Sequence, residues 1–116
     1  MNSKTKEPKE LLNNYLKGMK DLSYDKQDII KSFEGLLQGI YAKGNLDIKT
    51  KELISIGIST YTNCEYTIVY HVNQALKAGA TKEEIIEASL VSVAFGGITS
   101  MSYAVTLIKE SIEAFS

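Results

Sequence analysis

One cysteine and one histidine occur in this chain of 116 residues, and they stand seven positions apart, at Cys64 and His71. If the chain after Asn63 is helical, Cys64, Thr67 and His71 follow at intervals of three and four residues, which at about 100° per residue places them within roughly 60° of arc. One helix face then carries a thiol, a hydroxyl and an imidazole. Ile68, Ala75 and Ala78 continue that face, so the polar groups are expected on a stripe that points into the protein. A buried polar group without a partner costs roughly 1 to 3 kcal/mol, and His71 therefore needs something to bond. Glu52, on the preceding segment, is the carboxylate nominated for it. A histidine held in this way bonds the carboxylate through one ring nitrogen and acts on a thiol or on water through the other. Asn63 reads as the cap of the helix, which puts Cys64 in its first turn. There, unpaired backbone N–H groups and the positive end of the helix dipole favour a thiolate.

The elements that must position these residues read as helices throughout. Pro8 suits a first helical turn, and Leu11, Leu12, Tyr15, Leu16 and Met19 recur at helical spacing to about Asp21. Ser23 or Asp25 is the expected cap of a second helix, and Gly44-Asn45 its expected end. These two helices read as a packing hairpin without chemistry. Asp47 is a good N-cap for a third helix, in which Leu53, Ile54, Ile56 and Ile58 spread around nearly the whole circumference, as in a buried helix. Glu52, Ser55 and Ser59 form a polar seam along it. Gly79 is placed to end the fourth helix, and Thr81-Lys82-Glu83-Glu84 is a capping box that starts the fifth. A last helix, from about Ile98 to Ala114, follows the break at Gly96-Gly97. The expectation is an all-α bundle of about six helices, forming a single domain over residues 1–116.

Composition narrows the function classes. Hydrophobic residues make up 44% and charged residues 23% of the chain, enough for a sizeable core in one domain. The formal charge is -1, with no stripe of basic residues interleaved with aromatics, so nucleic acid is not an expected partner. The stretch MNSKTKEPKE is polar, and no apolar run approaches the ~18 residues of a membrane span, which points to a cytoplasmic protein without a membrane partner. A single cysteine forms no intrachain disulfide. With one histidine it fills no zinc site unless carboxylates or a second subunit contribute, so neither metal nor cofactor is expected. The third and last helices are apolar on more faces than one small bundle covers, which suggests a homo-oligomer.

Glu52, eleven intervening residues, Cys64, two more, Thr67, three more, and His71, followed by the run from Ala75 to Ile85, resemble the core of the carboxymuconolactone decarboxylase family. The likeness is strongest to its alkyl-hydroperoxidase D-like branch and extends from about Asp47 to Gly97, including the Phe95-Gly96-Gly97 break. That branch has Cys-x-x-Cys where this chain has Cys64-x-x-Thr67. The resemblance implies a helical bundle assembled as trimers or hexamers. It also implies a peroxiredoxin-like activity in which Cys64 reduces a small-molecule hydroperoxide while Glu52 and His71 relay the proton. Threonine closes no disulfide, so an external thiol would have to resolve a Cys64 sulfenic acid. The alternatives are a decarboxylase-type lyase and a redox-inactive member that binds a small molecule. The lyase would need a cation to hold its substrate's carboxylates, and Lys49 and Lys51 lie nearest in sequence.

Overall fold

The computed structural model describes residues 7–116, and the polar stretch at residues 1–6 lies outside them. Local sequence explains most helix boundaries. Helix α1 (Pro8–Asp25) starts at its proline and runs beyond the expected end near Asp21. Ser23 does not cap the next helix; its hydroxyl donates back to the Lys20 carbonyl at 2.6 Å, so α1 continues through it. Helix α2 (Gln27–Tyr41) follows an N-cap, Lys26, whose side chain makes no capping bond, and it stops at Tyr41, short of Gly44-Asn45. Two carbonyls at its end are taken by one cation, Lys51 Nζ, which lies 2.8 Å from Ile40 O and 2.7 Å from Ala42 O.

The caps of α3 (Ile48–Thr62) and α5 (Lys82–Val91) are those expected. Asp47 Oδ1 accepts from the Thr50 N–H at 2.8 Å. At Thr81 the capping box closes in both directions, with Glu84 N donating to Thr81 Oγ1 at 3.1 Å and Thr81 N donating to Glu84 Oε1 at 2.9 Å. Lys49 Nζ lies 3.1 Å from Glu84 Oε2 and ties the two helix starts together. Between them runs α4 (Glu65–Lys77), which ends before Gly79 with its φ of 93°. Helix α6 (Val93–Tyr103) bends at Gly97 and passes through a π-helical turn (Ala104–Ile108) into α7 (Lys109–Phe115). Counted as one bent stretch, α6 to α7 completes six helices, and no strand occurs among the described residues.

Helix α4 lies at the centre, packed on α3, α1, α7 and the π turn. Its Ile68, Val69, Val72 and Ala75 are fully buried and join Ile56, Ile85 and Ile108 in the core. Helix α3 is covered on one side only: Ile56 has no exposure, whereas Ile54 and Ile58 are 48% and 60% exposed. The expectation that its whole circumference is buried therefore fails for the single chain. The radius of gyration, 14.7 Å, exceeds the about 13 Å of a compact chain of this length, in keeping with a flattened body of 45 × 40 × 26 Å that leaves apolar faces open. Among the described residues, no helix is long and apolar enough to cross a membrane.

Two features of this fold have measurable consequences. Gly97 adopts φ 57° and ψ -137°, a combination that L side chains avoid, so Gly97→Ala should lower stability by about 1 to 3 kcal/mol in urea unfolding. The second concerns the caps. The Thr50 backbone N–H holds the Asp47 carboxyl below its ordinary range, and the Thr81 N–H, followed by Lys49, does the same for Glu84. Folded-state values below unfolded ones mean that this stability is present above the ordinary carboxylate range and is lost as pH falls through the depressed values. The double variant Asp47→Asn, Glu84→Gln should therefore show a shallower fall of urea midpoint between roughly pH 5 and 3 than the parent.

Candidate active site

Glu52 lies in the first turns of α3 and His71 in the middle of α4, the two helices that share the most extensive contact. His71 Nδ1 sits 2.7 Å from Glu52 Oε1. Their side chains are 5% and 12% exposed for Glu52 and His71 respectively, so the pair is close to fully withdrawn from water. A carboxylate only accepts, so Nδ1 carries the hydrogen and the ring orientation is set by Glu52. Nε2 has no protein hydrogen-bond partner among the described residues. Two rings pack against the imidazole: Tyr70 edge-on, with centroids 5.1 Å apart, and Tyr41 tilted at 5.8 Å. The hydroxyl of Tyr41 in turn hydrogen-bonds Ser55 Oγ, one turn beyond Glu52 on α3.

Cys64 is arranged differently from the sequence expectation. Asn63 is not the cap of α4; it closes α3 in the left-handed conformation, at φ 58°, and Cys64 itself is the N-cap residue of α4. An N-cap side chain usually accepts from a backbone N–H of the first turn. Cys64 makes no such bond, and its Sγ accepts from the hydroxyl of Thr67 at 2.8 Å. Cys64 is exposed, so the face begun by Cys64 does not point wholly inward. It enters the protein progressively, through partly covered Thr67 and His71 to the buried Ile68 and Ala75.

A hollow of about 260 Å3 opens over this face, lined by Thr67, His71 and Tyr66 of α4 and by Tyr15, Phe33 and Tyr41 from α1 and α2. Cys64 is not among its lining residues, whereas Thr67 is. An adjoining hollow of about 370 Å3 shares Tyr41 and Tyr70 with it and is lined further by Glu34, Glu52 and Gln74. Helices α1 and α2, read from sequence as a plain packing hairpin, thus supply one wall of the site. The available signal was the tyrosine content: of seven tyrosines in the chain, Tyr15, Tyr41, Tyr66 and Tyr70 line this hollow. The two lysines nearest to Glu52 in sequence do not reach it. Lys49 pairs with Glu84, and Lys51 is bonded to the end of α2.

With this geometry in view, the likeness to known proteins is informative. The fold superposes on a carboxymuconolactone decarboxylase family protein from Legionella pneumophila with a TM-score of 0.88, at 28% identity over 94% of this chain and 96% of that one. For a family member from Thermotoga maritima the TM-score is 0.70, at 31% identity over 90% and 91% of the two chains. Among curated sequences, an uncharacterized protein of Cupriavidus necator is 28% identical over 75 residues, or 65% of this chain and 66% of that protein. The alkyl hydroperoxide reductase AhpD of Corynebacterium aurimucosum is 40% identical over 58 residues, which is 50% of this chain and 33% of its own length. The matched stretch therefore spans less than two thirds of either curated relative. The family model for carboxymuconolactone decarboxylases matches residues 27–110, which take in α2 to the start of α7 and every residue of the Glu52, Cys64, Thr67 and His71 constellation. Fold and sequence agree, and the chain belongs to the carboxymuconolactone decarboxylase family.

Proposed function

We propose that this protein is a thiol-dependent hydroperoxide reductase, with Cys64 as the sulfur nucleophile and Glu52 and His71 as its proton relay. The observation that carries the reading is the buried Glu52–His71 pair, with the hydroxyl of Thr67 on the same hollow donating to Cys64 Sγ. Thr67 stands one turn from His71 on the same helix face, and the hydrogen bond it donates to Sγ favours the thiolate. His71 Nε2 takes the thiol proton, and the hydroxyl of Thr67 donates to the thiolate Sγ that remains. The thiolate attacks the outer oxygen of ROOH, the O–O bond breaks, and the alkoxide takes the proton from His71 to leave as ROH. Cys64 becomes a sulfenic acid. One molecule of an external thiol condenses with it to a mixed disulfide and water, and a second releases Cys64 as thiol with formation of the small-molecule disulfide. A reducing compartment such as the cytoplasm supplies that thiol. The match to AhpD is in keeping with this chemistry.

The decarboxylase reading is less well supported. Neither hollow has a lysine among its lining residues, and Lys49 and Lys51 are engaged elsewhere, so no cation faces a carboxylated lactone. The exposure of Cys64, outside the hollow that holds His71, favours a second reading: a member of the family that binds a small molecule without redox turnover.

Trapping separates the two. Incubation with an organic hydroperoxide and dimedone should label Cys64, detected by mass, and His71→Ala should slow labelling on the order of 10²-fold, the typical contribution of a positioned acid–base group. Thr67→Val should slow it as well while leaving unfolding unchanged. Equal labelling rates in parent and His71→Ala would mark Cys64 as an ordinary exposed thiol and favour the binding reading.

The open apolar surface bears on assembly. Helices α3, α5 and α6 bound a groove of about 620 Å3 lined by Ile54, Ile58, Tyr61, Val91 and Phe95, and Phe95 and Ile98 beside it are 79% and 89% exposed. A surface that carries both a groove and protruding apolar side chains is self-complementary, and we assign it to contact between copies in a homo-oligomer, a trimer or hexamer. Phe95→Glu should shift sedimentation from the oligomer to the 12.8 kDa monomer. A parent that sediments as a monomer at micromolar concentration would refute the assignment.

A further inference from the structure

His71 is held by one hydrogen bond, and one bond does not fix a ring. The contact of Nδ1 with Glu52 Oε1 sets which nitrogen carries the hydrogen, but the imidazole can still rock about that axis, and Nε2 has no protein partner among the described residues to stop it. Packing does. Tyr70 meets the ring at 84° and Tyr41 at 31°, so two planes of different inclination bound it. Tyr70 precedes His71 on α4 and moves with it. Tyr41 is therefore the aromatic wall that comes from another helix, and its own placement decides whether the imidazole keeps one direction.

Tyr41 stands at a weak place in the fold. It is the last residue of α2, where carbonyls lack intrahelical partners and ends fray, and α2 makes less contact with α3 than with α1. Lys51 Nζ compensates by donating to Ile40 O at 2.8 Å and to Ala42 O at 2.7 Å, the carbonyls on either side of Tyr41. A cation there also meets the negative end of the α2 dipole. The Ser55 hydroxyl donates to Lys51 O at 2.9 Å, which commits its single hydrogen, so Tyr41 is the donor in its own bond to Ser55 Oγ. These bonds form a closed circuit that leaves from the side chain of Lys51, passes through Tyr41 and Ser55, and returns to the Lys51 backbone. The next residue in the chain is Glu52. One turn of α3 thus fixes the imidazole twice, directly at Nδ1 and through Tyr41 at the ring.

We propose that Tyr41 is a positioning residue for His71 and that Lys51 and Ser55 are the clamp that holds it, so that Nε2 keeps the direction a proton transfer needs. The proposal rests on the reading of His71 as the acid–base group. It gives Lys51 a role that is neither a substrate contact nor free surface charge, because its ammonium acts on the site through the end of α2.

His71 is the only histidine, so the imidazole of the untagged full chain gives one set of signals in long-range proton–nitrogen NMR spectra. Tyr41→Phe keeps the ring and removes the hydroxyl, Lys51→Met removes the ammonium, and Lys51→Arg keeps a cation with more than one donor. Lys49→Met is the control, since it breaks the tie to Glu84 on the same turn of α3 and leaves the bonds to α2 in place. Tyr41→Phe and Lys51→Met should each displace and broaden the His71 signals. A misplacement of about 1 Å costs on the order of 10²-fold in rate, so a ring that only rocks should slow peroxide-dependent dimedone labelling of Cys64 about tenfold. Lys51→Arg and Lys49→Met should match the parent in both measurements. Parent-like signals in Lys51→Met or in Tyr41→Phe, an equal displacement in Lys49→Met, or failure of Lys51→Arg to keep the parent spectrum would each overturn the proposal. So would an unchanged labelling rate in variants whose signals move. Tyr41→Phe retains the packing and decides the matter even if Lys51→Met does not fold. If Cys64 of the parent is not oxidised at all, the hydroperoxide reading fails, and the spectra alone still decide whether Tyr41 positions the ring.

Discussion

The contact between Glu52 and His71 joins the two helices at the middle of the protein and depends on nearly everything else in it. A carboxylate 5% exposed is tolerable only with a partner, and the partner stands on a different helix nineteen residues later. Its geometry therefore requires α3 and α4 to pack in one register. That register comes from Ile56 on one side and Ile68, Val69 and Val72 on the other, all without exposure. Apolar packing of this kind holds interhelical positions to a fraction of an ångström, because close-packed interiors resist displacement. The same packing sets the azimuth of α4, so that the face following His71 toward the N-terminus rises to the surface at Cys64.

The replacement of a cysteine by Thr67 acquires a physical meaning in this setting. A threonine at the third position of a helix whose N-cap is cysteine brings a hydroxyl within hydrogen-bond distance of the sulfur, at 2.8 Å. The hydroxyl donates to the sulfur but, unlike a second thiol, cannot be oxidised to a disulfide with it. The change keeps a polar partner on the sulfur while removing the intrachain route to a disulfide.

The peripheral helices show how a small bundle divides its surface. Helix α2 contacts its neighbours mainly through α1 and is held at its C-terminus by Lys51 and by the Tyr41–Ser55 hydrogen bond, both reaching from or to α3. These attachments swing Phe33, Leu37 and Tyr41 over the imidazole. On the opposite side, Ile54, Ile58, Phe95 and Ile98 remain open because the flattened body has too little depth to enclose them.

Features that depend on a few consecutive residues were legible in the amino-acid order. The N-cap at Asp47, the reciprocal bonds of Thr81 and Glu84, the stop at Gly79 and the break at Gly97 all rest on local hydrogen bonding or on backbone freedom peculiar to glycine. The Glu52 to His71 spacing likewise marked the pair, since a polar residue on an apolar helix face needs a partner. Tertiary structure decided what sequence order leaves open. It turned Cys64 outward and made it the cap in place of Asn63, because the left-handed turn that closes α3 consumes the asparagine. It extended α1 past Ser23, whose hydroxyl found a carbonyl behind it sooner than an N–H ahead. It also brought Tyr15, Phe33 and Tyr41 from two helices without any motif to the wall of the site. Their spacing records only which face of a helix is apolar, and which neighbour covers that face is settled by packing among elements distant in sequence.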